Sequence, residues 1–297
     1  MTAESSPKSG PISRDELRQW LLSYRAENWR GIQTPETQVK IVEALLQPEA
    51  ESVLGSVARF RPIPPRAMIL DVGSGVGGFV VACRELGYRA FGVEPDRIGA
   101  GARVTSIQIA ARRVSSNVFI SAVGEALPFP DGTFDLVTLN QVVEHVPDQL
   151  AVLREAARVL RPGGVLYVAC PNYLRFYEPH YKIFWLPLMP KILGRLYLRV
   201  RGRNPVMLAD LFYTTNRRLR KWLEAIGNDF QVVDSHQAQF IRKCAGQGEF
   251  ASRRAQLLKK MVSLPYLGPI LKTFILFWIR LREGGCEMLV LRRGEVK

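Results

Sequence analysis

Three glycines at alternate positions, Gly73, Gly75 and Gly77, lie within Asp71-Val-Gly-Ser-Gly-Val-Gly-Gly-Phe79, and no other stretch restricts the fold of this chain as strongly. The apolar run Ala67-Met-Ile-Leu70 leads in and reads as a buried strand. Phe79-Val-Val-Ala-Cys-Arg-Glu-Leu86 leads out as a helix that ends at Gly87. Glycines in a strand-to-helix turn let the backbone bend tightly and approach a ligand with no Cβ in the way. That describes a nucleotide-type site without saying which nucleotide, because Gly73, Gly75 and Gly78 also satisfy the dinucleotide spacing.

The neighbouring residues narrow the choice. Asp71 puts a carboxylate at the mouth of the turn, where it would repel a pyrophosphate and attract the ammonium of an amino-acid moiety. A second strand, Ala90–Glu94, ends in an acidic residue placed to accept both hydroxyls of a ribose. Further on come Glu125-Ala-Leu-Pro-Phe-Pro-Asp-Gly-Thr-Phe-Asp-Leu-Val137 and Asn140-Gln-Val-Val-Glu-His-Val-Pro-Asp148. With these blocks the chain resembles the class I S-adenosylmethionine-dependent methyltransferases, specifically the type 11 group that includes the ubiquinone and menaquinone methyltransferases. The resemblance is close over Ala67–Asn172 and thin elsewhere.

That resemblance implies S-adenosylmethionine as cofactor and a set of residues to hold it. Gly73, Gly75 and Gly77 would line its methionine portion, with Asp71 near the ammonium. Glu94 would hold the ribose, Pro95 flank the adenine, and Gly124 and Glu125 run along the adenine edge. Asn140 and Gln141 would border the transferring methyl. One position departs from the group: where an Asp commonly precedes the Ala-Glu-x-Leu-Pro-Phe block, this chain has Val123. Backbone groups would then hold the adenine edge.

From Ala67 the sequence alternates strand and helix with short connections, which implies a parallel sheet covered on both faces. Strands are expected at Ala67–Val72, Ala90–Glu94, Val118–Ala122, Phe134–Asn140 and Val165–Pro171, and helices near Gly77–Leu86, Arg97–Val114 and Gln149–Leu160. The expected class is α/β, a Rossmann-like seven-stranded sheet, mostly parallel with an antiparallel last strand supplied by Cys286–Leu291. Residues 1–66 read as an N-terminal helical cap, with Ser13 and Thr34 opening helices. By analogy Trp20, Tyr24 and Trp29 are candidate lid aromatics, against the plainer reading that they pack the helices onto the core. Residues 67–297 read as the catalytic domain, with insertions at 176–212 and 241–283.

Charge is distributed unevenly. Residues 1–175 carry 19 Lys and Arg against 18 Asp and Glu, whereas residues 176–297 carry 22 against 9. A neutral catalytic half joined to a basic half points to an acidic partner surface. In the insertions, Phe184-Trp-Leu-Pro-Leu-Met-Pro190 precedes Lys191, Arg195 and Arg199 on one helical stripe, and the apolar run 264–281 is flanked by further Lys and Arg. Pro, Gly and cations break both runs, so neither suits a membrane span, which needs about 20 apolar residues. Both suit peripheral contact with an anionic membrane, and the competing view is an ordinary basic cap over the sheet. Nucleic acid would explain the charge but not the aromatic residues, and no recognition motif is present.

The four cysteines form no CxxC pair and the N-terminus is polar, so the expected setting is cytoplasmic, peripheral at the inner face of the membrane, without structural zinc. The expected function is methyl transfer from S-adenosylmethionine to a lipid-soluble acceptor, such as an isoprenoid quinone precursor or lipid. The alternative is a soluble small-molecule methyltransferase whose insertions form a lid. If the acceptor is a hydroxyl, a base is useful, and the candidates are His145, just past the fourth strand, and His180 in the insertion. A carbon of an electron-rich ring would need no such base.

Overall fold

A computed structural model of the protein describes residues 11–46, 50–95, 106–114, 116–227, 229–235 and 286–292. Nine strands and eight helices are described: β1 Met68–Val72, β2 Arg89–Glu94, β3 Phe119–Ser121, β4 Phe134–Asn140, β5 Leu160–Cys170, β6 Tyr177–Glu178, β7 Ile183–Phe184, β8 Phe230–Ser235 and β9 Cys286–Arg292, with α1 Arg14–Asn28, α2 Pro35–Leu45, α3 Ala50–Ala58, α4 Gly78–Glu85, α5 Ser106–Ala111, α6 Gln149–Val159, α7 Lys191–Val200 and α8 Asn216–Glu224. Seven strands form one sheet in the order β3-β2-β1-β4-β5-β9-β8. β1 to β5 run parallel, and β9 lies antiparallel between β5 and β8. This is the expected Rossmann-like seven-stranded sheet, mostly parallel. The expected helix Arg97–Val114 is described only in its last part, and the apolar run 264–281 lies outside the described residues.

The pleat sorts the strand residues onto two cores. Leu70, Val72, Val137, Leu139, Leu166 and Val168 pack with α6 and α8 on one face. Ile69, Ala90, Leu136, Val165 and Tyr167 pack with α3 and α4 on the other. Asp71 and Thr138 follow Ile69 and Leu136 on that second face, and they are register partners across β1 and β4. Their side chains therefore meet at the carboxyl ends of the strands, where open α/β sheets bind ligands.

The N-terminal helices begin as their caps predict: Ser13 Oγ accepts from Glu16 N and Thr34 Oγ1 from Thr37 N. Residues 176–212 form a separate small core of Tyr181, Ile183, Trp185, Met189, Leu198, Leu208 and Leu211, closed by Ile32 from the α1–α2 connection. Asn204 N donates to Gly31 O, and Gln33 Nε2 donates to the His180 carbonyl, so this insertion and the N-terminal cap brace each other.

Candidate active site

A cleft of about 290 Å³ opens at the carboxyl ends of β1 and β4, lined by Asp71, Gly73, Ser74, Gly75, Val76, Gly78, Phe79, Asn140, Gln141 and Leu45 of α2. Gly73, Gly75 and Gly77 all have positive φ, at 73°, 52° and 76°. They differ in what glycine provides. A Cβ on Gly75 would meet nothing within 4 Å, so this residue borders the open space of the cleft. A Cβ on Gly73 would lie 2.5 Å from Val142 Cγ2, so glycine here lets β1 approach the end of β4. At Gly77 a Cβ would run into Phe119 and Ala110 beneath the turn. Gly77 thus serves packing under the loop, outside the cleft lining.

Two carboxylates serve this turn. Glu94, at the end of β2, accepts from Gly75 N at 2.9 Å through Oε2, holding the middle of the glycine loop. Asp71 is 6% exposed and accepts from Thr138 Oγ1 at 2.6 Å. Burial raises the Asp71 carboxyl from its ordinary 3.8 to about 7; the Thr138 hydrogen bond opposes this and the Glu94 charge adds to it. A cation arriving in the cleft would reverse that burden.

Of the remaining expected cofactor residues, Asn140 and Gln141 belong to the cleft lining, whereas Pro95, Gly124 and Glu125 do not. Pro95 follows Glu94 and is partly buried. Gly124 is buried against Val72 and Val152, Glu125 is partly buried, and Val123 is 41% exposed. Asn140 and Gln141 both line the cleft. Gln141 is a non-glycine residue at φ 59°, held by its N–H to the Ala169 carbonyl at 2.7 Å. Left-handed backbone at such a residue costs about 1–3 kcal/mol and tends to occur at functional sites.

The aromatic residues of α1 divide. Trp20 and Tyr24 stack at 5.0 Å, and Trp20 packs on the cluster that includes Val76 of the turn. Tyr24 lies close enough to Glu94 for that charge, after burial, to raise its hydroxyl pKa. These two lie on the side of α1 near the glycine turn. Trp29 instead packs on the insertion core under Arg25, whose guanidinium carbon is 4.2 Å from its ring centroid.

His145 and His180, far apart in sequence, meet edge to face with ring centroids 5.1 Å apart. His180 Nδ1 is 2.8 Å from Glu178 Oε1, and Glu178 Oε2 accepts from Tyr181 N at 2.6 Å. Glu178 is wholly buried and serves this pair. Glu144, also wholly buried, completes the cluster; its charge and basicity are invisible in a sequence that flags only the neighbouring His145. Burial raises the Glu144 carboxyl to about 8, and burial lowers His145 to about 4 with help from the His180 charge.

The insertion corrects one sequence-based expectation. Trp185 is 0% exposed at the centre of the insertion core and cannot enter a membrane, whereas its neighbour Phe184 is 56% exposed. Lys191 also differs from Arg195 and Arg199: its Nζ donates to the Ala209 carbonyl at 2.8 Å and lies over the Phe212 ring.

Comparison with known proteins adds a family and a fold. Residues 70–168 match the family described as "Methyltransferase domain". The chain is 32% identical over 110 residues to the 2-methyl-6-phytyl-1,4-hydroquinone methyltransferase of Synechocystis sp., covering 36% of this chain and 33% of that protein. It is 35% identical over 117 residues to an uncharacterized methyltransferase of Mycobacterium leprae, covering 39% of this chain and 42% of that one. The matched region thus spans well under half of either relative. Among solved structures, the Haloferax volcanii methyltransferase in complex with the Trm112 methyltransferase activator aligns with a TM-score of 0.50 at 16% identity, covering 92% of this chain and 98% of that chain. That likeness concerns the fold.

Proposed function

We propose that this chain, whose residues 70–168 are a methyltransferase domain, transfers the methyl group of S-adenosylmethionine to a lipid-soluble acceptor met at an anionic membrane surface. S-adenosylmethionine is the cofactor of this domain class, and the cleft residues fit it. Gly75 leaves the room, Asp71 offers a buried carboxylate in need of a cation, and Glu94 ends β2 beside the turn. When bound, the cofactor supplies an electrophilic methyl on a sulfonium. The work of the protein is to exclude water and to hold the acceptor in line with that methyl. Asn140 and Gln141, in the cleft lining, would border that position, and Trp20 and Tyr24 near the turn would help to close it.

Glu94→Ala should lower cofactor affinity at least tenfold, since hydrogen bonds to a charged group are worth about 1.5–3 kcal/mol each. Calorimetric titration with S-adenosylmethionine checks this, and unchanged affinity would remove Glu94 from the site.

The membrane part of the proposal is carried by α7. At 100° per residue, Ile192, Leu193, Leu196 and Val200 fall on one arc of this helix, and all are more than half exposed. Gly194 and Leu198, on the opposite arc, face the insertion core. Arg195 and Arg199 border the apolar arc. Phe176, Phe184, Leu186, Leu188 and Val206 are further exposed apolar side chains in residues 176–212. A helix with one face in its own core and an opposite apolar face edged by cations suits a lipid interface. No helix among the described residues is long and apolar enough to cross a membrane. The phytyl hydroquinone in the name of the Synechocystis relative supports an apolar acceptor.

Flotation with anionic vesicles tests the attachment. Each basic residue near an anionic leaflet contributes about 1 kcal/mol, so Arg195→Glu with Arg199→Glu should lower vesicle binding at least tenfold at low salt. Ile192→Ser with Leu196→Ser should do the same at any salt. If the wild-type protein ignores anionic vesicles at low salt, a water-soluble acceptor with the insertion as a lid takes the place of this proposal.

A further inference from the structure

The geometry points to a binding site for one first-row transition-metal dication, formed by Glu144, His145 and His180. One ligand atom from each of these residues lies within 4.8 Å of the other two. Donors around such an ion at about 2.0–2.2 Å stand roughly 3–4 Å apart. Glu144 Oε1 and His145 Nε2 are 3.9 Å apart, within the spacing of two donors on one ion, and the His145 side chain is 35% exposed. Glu178 engages His180 Nδ1, which leaves Nε2 as the ligand atom. A carboxylate on the far nitrogen is the usual support of a metal-binding histidine, because it sets the tautomer and the ring orientation.

The independent observation is Glu144 itself. It is 0% exposed, and no hydrogen-bond partner among the described residues reaches either carboxylate oxygen beyond the residue's own backbone N–H. A buried carboxylate without partners is costly, and here a second buried carboxylate, Glu178, lies near enough to act on it electrostatically. Among the described residues no Lys or Arg pairs with it: Glu144 has an ion-pair contact only with His145, beyond hydrogen-bond distance, and Glu178 only with His180. An ion held by one carboxylate and two imidazoles would neutralise the group. Two imidazoles with one carboxylate select zinc, iron, cobalt or nickel over magnesium or calcium, which prefer oxygen ligands throughout.

The location suggests a use. Glu144 and His145 follow, after two intervening residues, Asn140 and Gln141, which line the cleft at the end of β4. Open positions on the ion would take an oxygen of the acceptor, a role that rests on the methyl-transfer proposal, whereas the ion binding does not.

The test uses the full chain, treated with EDTA, desalted and titrated with Co²⁺, followed by visible absorption and equilibrium dialysis. One equivalent should bind, and Glu144→Gln and His180→Ala should each weaken it at least tenfold. His145→Ala, at a partly exposed position, should weaken it too and guards against loss of fold in the buried variants. Affinity for S-adenosylmethionine should stay within twofold of wild type in all three. No stoichiometric Co²⁺ binding, or equal binding by wild type and His145→Ala, would overturn the site. Failure of S-adenosylmethionine to bind the wild type would instead overturn the methyl-transfer proposal and leave the metal result standing.

Discussion

Asp71→Asn should abolish tight cofactor binding and, at the same time, make the cofactor-free protein more stable at pH 8. The binding loss comes from removing the charged partner of the ammonium, worth about 1.5–3 kcal/mol, or roughly tenfold to hundredfold in affinity. The stability gain follows from proton linkage. The folded Asp71 carboxyl is raised from 3.8 to about 7, chiefly by burial, so between those values the folded chain holds a proton that the unfolded chain has released. Stability from this group is therefore complete below about pH 4 and is lost as pH rises toward about 7, amounting to about 4 kcal/mol when the carboxylate is fully ionised. Asparagine keeps the shape and cannot ionise. The variant should melt several degrees above the wild type at pH 8 and at the same temperature at pH 4, by scanning calorimetry without cofactor. A constant difference across that range would contradict the buried, ionising Asp71.

Trp185→Ala should destabilise the insertion far more than any change on its surface. Trp185 is wholly buried; its ring centroid lies 6.0 Å from that of Tyr197, and Gly194 passes so close that an added Cβ would sit 2.7 Å from Trp185 Cη2. Removing such a side chain costs about 3–5 kcal/mol. Phe184→Ala, one residue away and 56% exposed, should change stability by less than about 0.5 kcal/mol while lowering vesicle binding. Thermal melts separate the two. Equal effects would mean that the insertion core is packed differently. Trp185→Ala should also loosen the hairpin of β6 and β7 and hence the His180 arrangement, because Tyr181 and Ile183 share the same core.

The parts of this molecule that were legible in the sequence are those set by local spacing. Strand limits at β1, β2 and β4, the glycine turn, and Asp71 and Glu94 at strand ends all follow from short-range patterns and the pleat. α3 is legible in principle, since Val53, Leu54 and Val57 recur at helical spacing. Trp185 and Phe184 read as one apolar-aromatic unit in the sequence, although β7 ends at Phe184 and extended backbone sends neighbouring side chains to opposite sides. Gly77 resembles Gly75 in sequence, and only the position of Phe119 beneath it separates their roles. The Glu144, His145, Glu178 and His180 cluster was not legible because the insertion returns to the end of β4 through tertiary packing. The left-handed Gln141 had no signal at all, since glutamine has no preference for that conformation.

The most direct test of the central claim is transfer of a labelled methyl group from S-adenosylmethionine into a total lipid extract presented in anionic vesicles. Label should enter the organic phase with wild-type protein at low salt. It should fall at least tenfold with Ile192→Ser and Leu196→Ser, while calorimetric affinity for S-adenosylmethionine stays unchanged. Label confined to water-soluble acceptors, with transfer indifferent to vesicles and to those two substitutions, would contradict the account.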